Sequence, residues 1–248
     1  MISKIGNIIL IGTSHVSKQS VQEIQQTIEA NKPSVVGIEL DIGRLRQLLS
    51  DKEQKSNAKT NRYMRQELGT TGYLFAKLAS YVQKKVGNSL GIEPGVDMKA
   101  AYLTARDAKI PVALIDIDIR KTLKKFSNLS FTKKVGFATK LLTTGFKKKY
   151  RQELSFDPKQ GVPSAEKIAK MLKVVQKEVP ELYKILIEDR NKYMSEKLQE
   201  LSQKHPNETI IAVVGAGHLE GMEKIIKELQ KNEPQNHTYS FSFSTTQD

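Results

Sequence analysis

At 248 residues with no cysteine, the chain is long enough for one sizeable α/β domain, and thiol catalysis, cysteine-ligated zinc and a disulfide framework are excluded. Forty Lys and Arg against 27 Asp and Glu leave a formal net charge of +13, which favours anionic partners. No apolar run approaches the ~18 residues of a spanning helix, and the first strand starts so close to residue 1 that no cleavable leader is expected, so the expectation is a soluble chain in a reducing, cytoplasmic setting.

Apolar runs punctuated by Gly, Asn and Pro predict a strand at 6–12, a helix at 17–30, a turn at Asn31-Lys32-Pro33 and a buried strand at 34–40. A mostly helical stretch follows from about 43 to 108, loop-like near 51–61 and broken at Gly91 to Gly95, with Asp97 as the expected N-cap of the helix ending near Ala108. Residues 111–116 form a third strand. After the basic segment described below and a loop at 157–163, helices are expected at about 164–177 and 181–204. A strand at 209–214, a helix at 219–231, a turn at 232–236 and an alternating strand at 238–244 close the chain. The fold class is α/β, a central mixed but largely parallel sheet flanked by helices. It is read as a single domain over 1–248.

From Arg120 to Arg151 the chain carries eleven Lys or Arg and no Asp or Glu, with Phe126, Leu129, Phe131 and Phe137 among the interleaved apolar residues. One reading is a solvated helical pair whose apolar side packs on the domain. The other is a basic amphipathic insertion, at about 120–151, facing an anionic membrane surface. Nucleic acid ranks below membrane as a partner because no recognition motif accompanies the charge.

Gly12-Thr13-Ser14-His15 and Gly215-Ala216-Gly217-His218 repeat one pattern, Gly-x-x-His, each after an apolar strand and each leading into a helix. The ends of the chain therefore read as two strand–Gly-x-x-His–helix–strand pseudo-repeats with a long helical insertion between them. In open parallel sheets ligands bind at the edge where the strands end. If the two first strands are neighbours, His15 and His218 can share a site. Two imidazoles with a carboxylate suit a divalent transition metal, and Glu39, at the end of a buried strand, is the obvious carboxylate. Arg44 is placed to fold back over Glu39 or to clamp a substrate anion. Asp116, Asp118 and Arg120 follow the third strand as partners of a histidine or as turn residues. Glu93 and Asp97 are ambiguous, and Glu188-Asp189-Arg190 would ordinarily be a solvated helix face. A dinucleotide turn at 215–221 is set aside because no acidic residue ends the next strand. A nucleophile elbow at 12–16 lacks its second glycine, and no phosphate loop is present.

Six blocks in order carry a resemblance: Gly-Thr-Ser-His at 12–15, Glu39-x4-Arg44, Glu93-Pro94-Gly95-Val96-Asp97-Met98, Leu114 to Arg120, Glu188-Asp189-Arg190-x-x-Tyr193-Met194, and Val213-Val214-Gly215-Ala216-Gly217-His218. Together they resemble the TraB/PrgY pheromone-shutdown family, itself related to Tiki-like metalloproteases and, more distantly, to erythromycin esterases and ChaN-like proteins. The resemblance implies one cleft lined by both Gly-x-x-His motifs, Glu39, Arg44 and Arg190. It also implies a divalent metal of the Mn or Co class, with Zn as the alternative, and hydrolysis of a small peptide. Family members often continue into C-terminal transmembrane helices, whereas this chain stops at polar Thr245 to Asp248. That suggests either an excised soluble domain on the cytoplasmic face of a membrane or a short member.

Two functions follow. The first is a metal-dependent hydrolase, most naturally a peptidase, with His15, His218 and Glu39 on the metal and Glu39, Arg44 and Arg190 as catalytic residues. The second is a non-catalytic module that sequesters a peptide or small anion at a membrane surface and needs no metal. A homo-oligomer is compatible with either.

Overall fold

The computed structural model describes residues 1–13, 18–50, 95–130, 132, 133, 136, 137, 139, 140, 150 and 165–232. Within these, five strands form one sheet in the order β1-β2-β5-β3-β4. β1 (Ile2–Ile5) and β2 (Ile8–Thr13) replace the single first strand expected at 6–12 and form an antiparallel hairpin. Gly6, at a positive φ of 55°, makes the tight turn between them. β1 escapes a reading by apolar runs because only Ile5 of its four residues is buried.

The other strands, β3 (Val35–Ile38), β4 (Val112–Leu114) and β5 (Ile210–Gly215), pair parallel with one another and with β2. The mixed, largely parallel sheet is as expected. β2, β5 and β3 are buried on both faces, as their near-continuous Ile and Val content requires. Alternate residues serve opposite layers. Ile9, Ile11, Val36, Ile38, Ile211 and Val213 meet α1 (Lys18–Asn31), α2 (Ile42–Leu49) and α3 (Val96–Asp107) through Ile24, Ile28, Leu45 and Met98. Ile8, Leu10, Ile210, Ala212 and Val214 meet the helices of the second layer through Met194, Leu198, Leu219, Met222 and Ile226. Each large aliphatic side chain so buried stabilises the fold by about 1.5–3 kcal/mol.

After β4 come α4 (Ile119–Ser127) and α5 (Ala165–Glu178). One continuous helix follows, made of α6 (Pro180–Tyr183), a π-helical turn (Lys184–Glu188) and α7 (Asp189–Lys204). The chain is next described through β5 and α8 (Ala216–Lys231). α8 starts three residues earlier than expected, so His218 sits in its first turn rather than in a loop. Asp97 is not the N-cap of α3. Gly95 holds that position at φ 87°, and Asp97 is buried in the first turn. In the basic segment, Leu129 and Phe137 pack against Val179 and Leu182, as do Val175 and Leu186 from the helices that follow. Lys121 and Lys124 point to solvent, whereas Arg120, Lys125 and Lys133 pair with Asp118, Asp189 and Glu181. No described helix is long and apolar enough to cross a membrane. The strand expected at 238–244, the fourth member of the second pseudo-repeat, lies outside the described residues.

Gly12 lies against α8. A Cβ there would stand 2.9 Å from Leu219 Cδ2 and 3.3 Å from its Cβ. Gly12→Ala should therefore destabilise the fold by about 1–3 kcal/mol through overpacking, read as a lowered urea midpoint at unchanged m-value.

Candidate functional site

Because β2, β5, β3 and β4 run parallel, their carboxyl ends share one edge of the sheet. The two Gly-x-x-His strands are direct neighbours, with Thr13 opposite Gly215. Glu39 follows β3 and Asp116 follows β4, while His218 enters from α8. His15 itself, like Glu93, lies outside the described residues.

Glu39 is almost fully buried at this edge, its side chain 4% exposed. Its Oε2 accepts the backbone N–H of Gly215 at 2.6 Å, and its Oε1 accepts Nη2 of Arg190. Arg190 also grips Asp116 with two parallel bonds, Nε to Oδ1 at 3.0 Å and Nη2 to Oδ2 at 2.7 Å, and donates from Nη1 to the Leu186 carbonyl at 3.3 Å. Burial works against the guanidinium charge. The Glu39 and Asp116 carboxylates outweigh it and hold the Arg190 pKa above its ordinary value. Arg44 does not fold over Glu39 as expected. Asp41 caps α2 by accepting the N–H groups of Gly43 and Arg44, and the side chain of Arg44 instead meets Asp116 Oδ2 at 2.8 Å. Asp116, which sequence left between a turn residue and a histidine partner, is thus the shared anion of two arginines. Arg190, ordinarily read as a solvated face, is a centre of the site.

His218 is 6% exposed at its side chain, with Nε2 3.4 Å from Glu39 Oε1 and Nδ1 2.6 Å from Asn191 Oδ1. Consecutive residues of an α-helix diverge by about 100°. Arg190 and Asn191 accordingly divide two neighbours between them, the carboxylate pair and the imidazole. Both follow directly on the π-turn, closed by the Asp189 N–H to Lys184 carbonyl bond, a departure from α-geometry common at functional sites. Asn191 was missed by sequence reading. A signal existed in Gly221, a glycine in a helix interior that costs about 1 kcal/mol against Ala unless something needs the space. At the same edge, buried Asp97 accepts the Thr13 hydroxyl through Oδ2 and the Met98 N–H at 2.8 Å through Oδ1. Asp118 instead pairs with Arg120 at the surface, and that guanidinium lowers its pKa against a small opposing effect of burial.

The chain matches the TraB/PrgY/gumN family over residues 1–234. It belongs to that family. An uncharacterized protein of Methanocaldococcus jannaschii is 34% identical over 228 residues, 90% of this chain and 54% of that protein. TraB domain-containing proteins of Mus musculus and Homo sapiens are 26% and 25% identical over 241 residues, 88% of this chain and 62% of theirs. This TraB-family chain thus spans a little over half the length of the relatives it matches.

Two ligands of a tetrahedral ion with bonds of about 2.0–2.2 Å stand roughly 3.3–3.6 Å apart, and His218 Nε2 and Glu39 Oε1 are 3.4 Å apart. That pair fits the divalent metal that the resemblance implies. Among the described residues no group of three or more His, Asp or Glu is placed to hold an ion, and His15, the third member of the expected set, lies outside them.

The two arginines should separate in a denaturation experiment. Arg190→Met leaves Glu39 and Asp116 buried without their shared cation and should cost about 3–5 kcal/mol. Arg44, with a side chain 34% exposed, leaves Asp116 still gripped by Arg190, and Arg44→Ala should cost no more than about 1 kcal/mol. Equal losses in urea midpoint would contradict this division.

Proposed function

We propose that this TraB-family domain is a metal-dependent hydrolase acting on a small peptide. The observation that carries the reading is the apposition of His218 Nε2 and Glu39 Oε1 at 3.4 Å, at a sheet edge where the two Gly-x-x-His strands lie side by side. His15, His218 and Glu39 would hold a divalent ion of the Mn, Co or Zn class, which supplies a Lewis acid for the scissile carbonyl and makes water acidic enough to attack near neutral pH.

The protein's own groups prepare Glu39 as a ligand. The Gly215 N–H and Arg190 both bond its oxygens and favour the ionised carboxylate, which suits metal binding better than proton abstraction. Four of the five N–H donors of Arg190 are already committed, so its part is to orient Glu39. Among the described residues Arg44 gives one side-chain bond, to Asp116, and it is a third exposed. It is the guanidinium left to hold a substrate carboxylate or an oxyanion.

A second reading, sequestration of a peptide or small anion without cleavage, is favoured by charge balance. The Glu39 and Asp116 carboxylates already face two guanidiniums, and neither depends on a metal for neutralisation. In either case the solvent-facing Lys121 and Lys124 suit an anionic membrane, which would put the domain at a cytoplasmic surface, alone or as a homo-oligomer.

Titration of chelator-stripped chain with Mn²⁺, Co²⁺ and Zn²⁺ tests the first reading. One ion per chain is expected, lost in His15→Ala/His218→Ala, with peptide cleavage abolished in parallel. No binding by the parent, or cleavage unchanged in the double variant, would sink it. Tight peptide binding in chelator, with the peptide recovered whole, would establish the second.

A further inference from the structure

We infer that Asn191 is the positioning residue of this site: it holds the proton of neutral His218 on Nδ1 and so presents Nε2 to Glu39 as an electron-pair donor. Imidazole in water prefers its proton on Nε2, so a ring fixed the other way needs an acceptor at Nδ1. The Asn191 carbonyl oxygen is that acceptor, 2.6 Å from Nδ1 in a contact that both residues bury.

The side chain of Asn191 is packed closely against α8. Its nitrogen lies over Gly221, where a Cβ would stand 2.2 Å from Nδ2 and 3.2 Å from Cγ. Only glycine leaves room for Asn191 between the turns of α8 that carry residues 218 and 221. On the far side of the ring, Glu39 Oε1 already accepts a charged bond from Arg190, and 3.4 Å is long for a hydrogen bond from Nε2. The proton is thus better placed on Nδ1, and a lone pair on Nε2 is what a metal ligand requires. α7 sets both ligands at once, Glu39 through Arg190 and His218 through Asn191. This deepens the hydrolase reading, but the position of the proton can be measured without metal or substrate.

The test is a long-range ¹H–¹⁵N correlation spectrum of the whole chain with ¹⁵N-labelled histidine, in chelator at pH 9, with the His218 signals assigned by their loss in His218→Gln. The native ring is expected to carry its proton on Nδ1. In Asn191→Ala the proton should move to Nε2. Gly221→Ala, which displaces the amide without changing its chemistry, should do the same, whereas Asn191→Asp keeps an acceptor oxygen and should retain the native pattern. A native ring protonated on Nε2, alone or on both nitrogens, would overturn the inference, as would a spectrum unchanged in a folded Asn191→Ala or Gly221→Ala. If Asn191→Ala fails to fold, the native spectrum, Asn191→Asp and Gly221→Ala still decide. A native ring protonated on Nδ1 in a chain that binds no metal would leave this inference standing and remove the hydrolase.

Discussion

Two buried carboxylates share one largely buried guanidinium, and the carboxyl edge of the sheet is organised around that fact. Glu39 and Asp116 sit at the ends of neighbouring parallel strands, where backbone geometry brings them together whether or not their charges agree. Arg190 reconciles them from the helical layer on one side of the sheet, and Arg44 reaches Asp116 from the layer on the other. Such a cluster adds little net stability, because desolvation consumes most of what the Coulombic attraction gives. What it does confer is position: a misplaced strand end would leave a charge buried without a partner. The cluster therefore ties both layers to the sheet at the one edge where precision matters.

Position at this edge serves His218. Its ring is bounded by Asn191 on one side and Glu39 on the other, and each of these is set by α7 or by something α7 contacts. The π-turn lies just upstream of Arg190 and Asn191, so the local irregularity of the helix and the two side chains that shape the site belong to one stretch of about eight residues. The chain shares its family with archaeal and mammalian relatives, but family membership does not by itself supply a reaction. The proposed chemistry rests on these few groups.

The elements most legible in the sequence were those dominated by burial. β2, β3 and β5 announce themselves as Ile- and Val-rich runs, and the adjacency suggested by twin Gly-x-x-His motifs holds for their strands. Glu39 was legible because a carboxylate among buried aliphatics needs a partner. Its partner was not: Arg44 is five residues away and Arg190 is 151, and local reading favours the near one. Asn191 was invisible for a related reason. A polar residue on a helix looks solvated until another helix, here α8 with its gap at Gly221, is brought against it. β1 was lost because a short edge strand carries little apolar pattern. Long-range pairing thus explains the misses at the site, and weak local signal explains the one in the sheet.

The strand order has a consequence for how the chain comes to be folded. β5, the last described strand to be synthesised, lies between β2 and β3 in the middle of the sheet. Until residues 210–215 leave the ribosome, β2 and β3 have no strand between them, and their backbone edges and aliphatic faces stay open. The hairpin of β1 and β2 pairs neighbouring residues, but Glu39 and Asp116 must wait for Arg190, and Glu39 also for the Gly215 N–H. Contacts of such high sequence separation form slowly. A nascent or truncated chain ending before β5 exposes strand edges prone to association. The domain closes from its C-terminal end inward, and the same insertion that completes the sheet assembles the site.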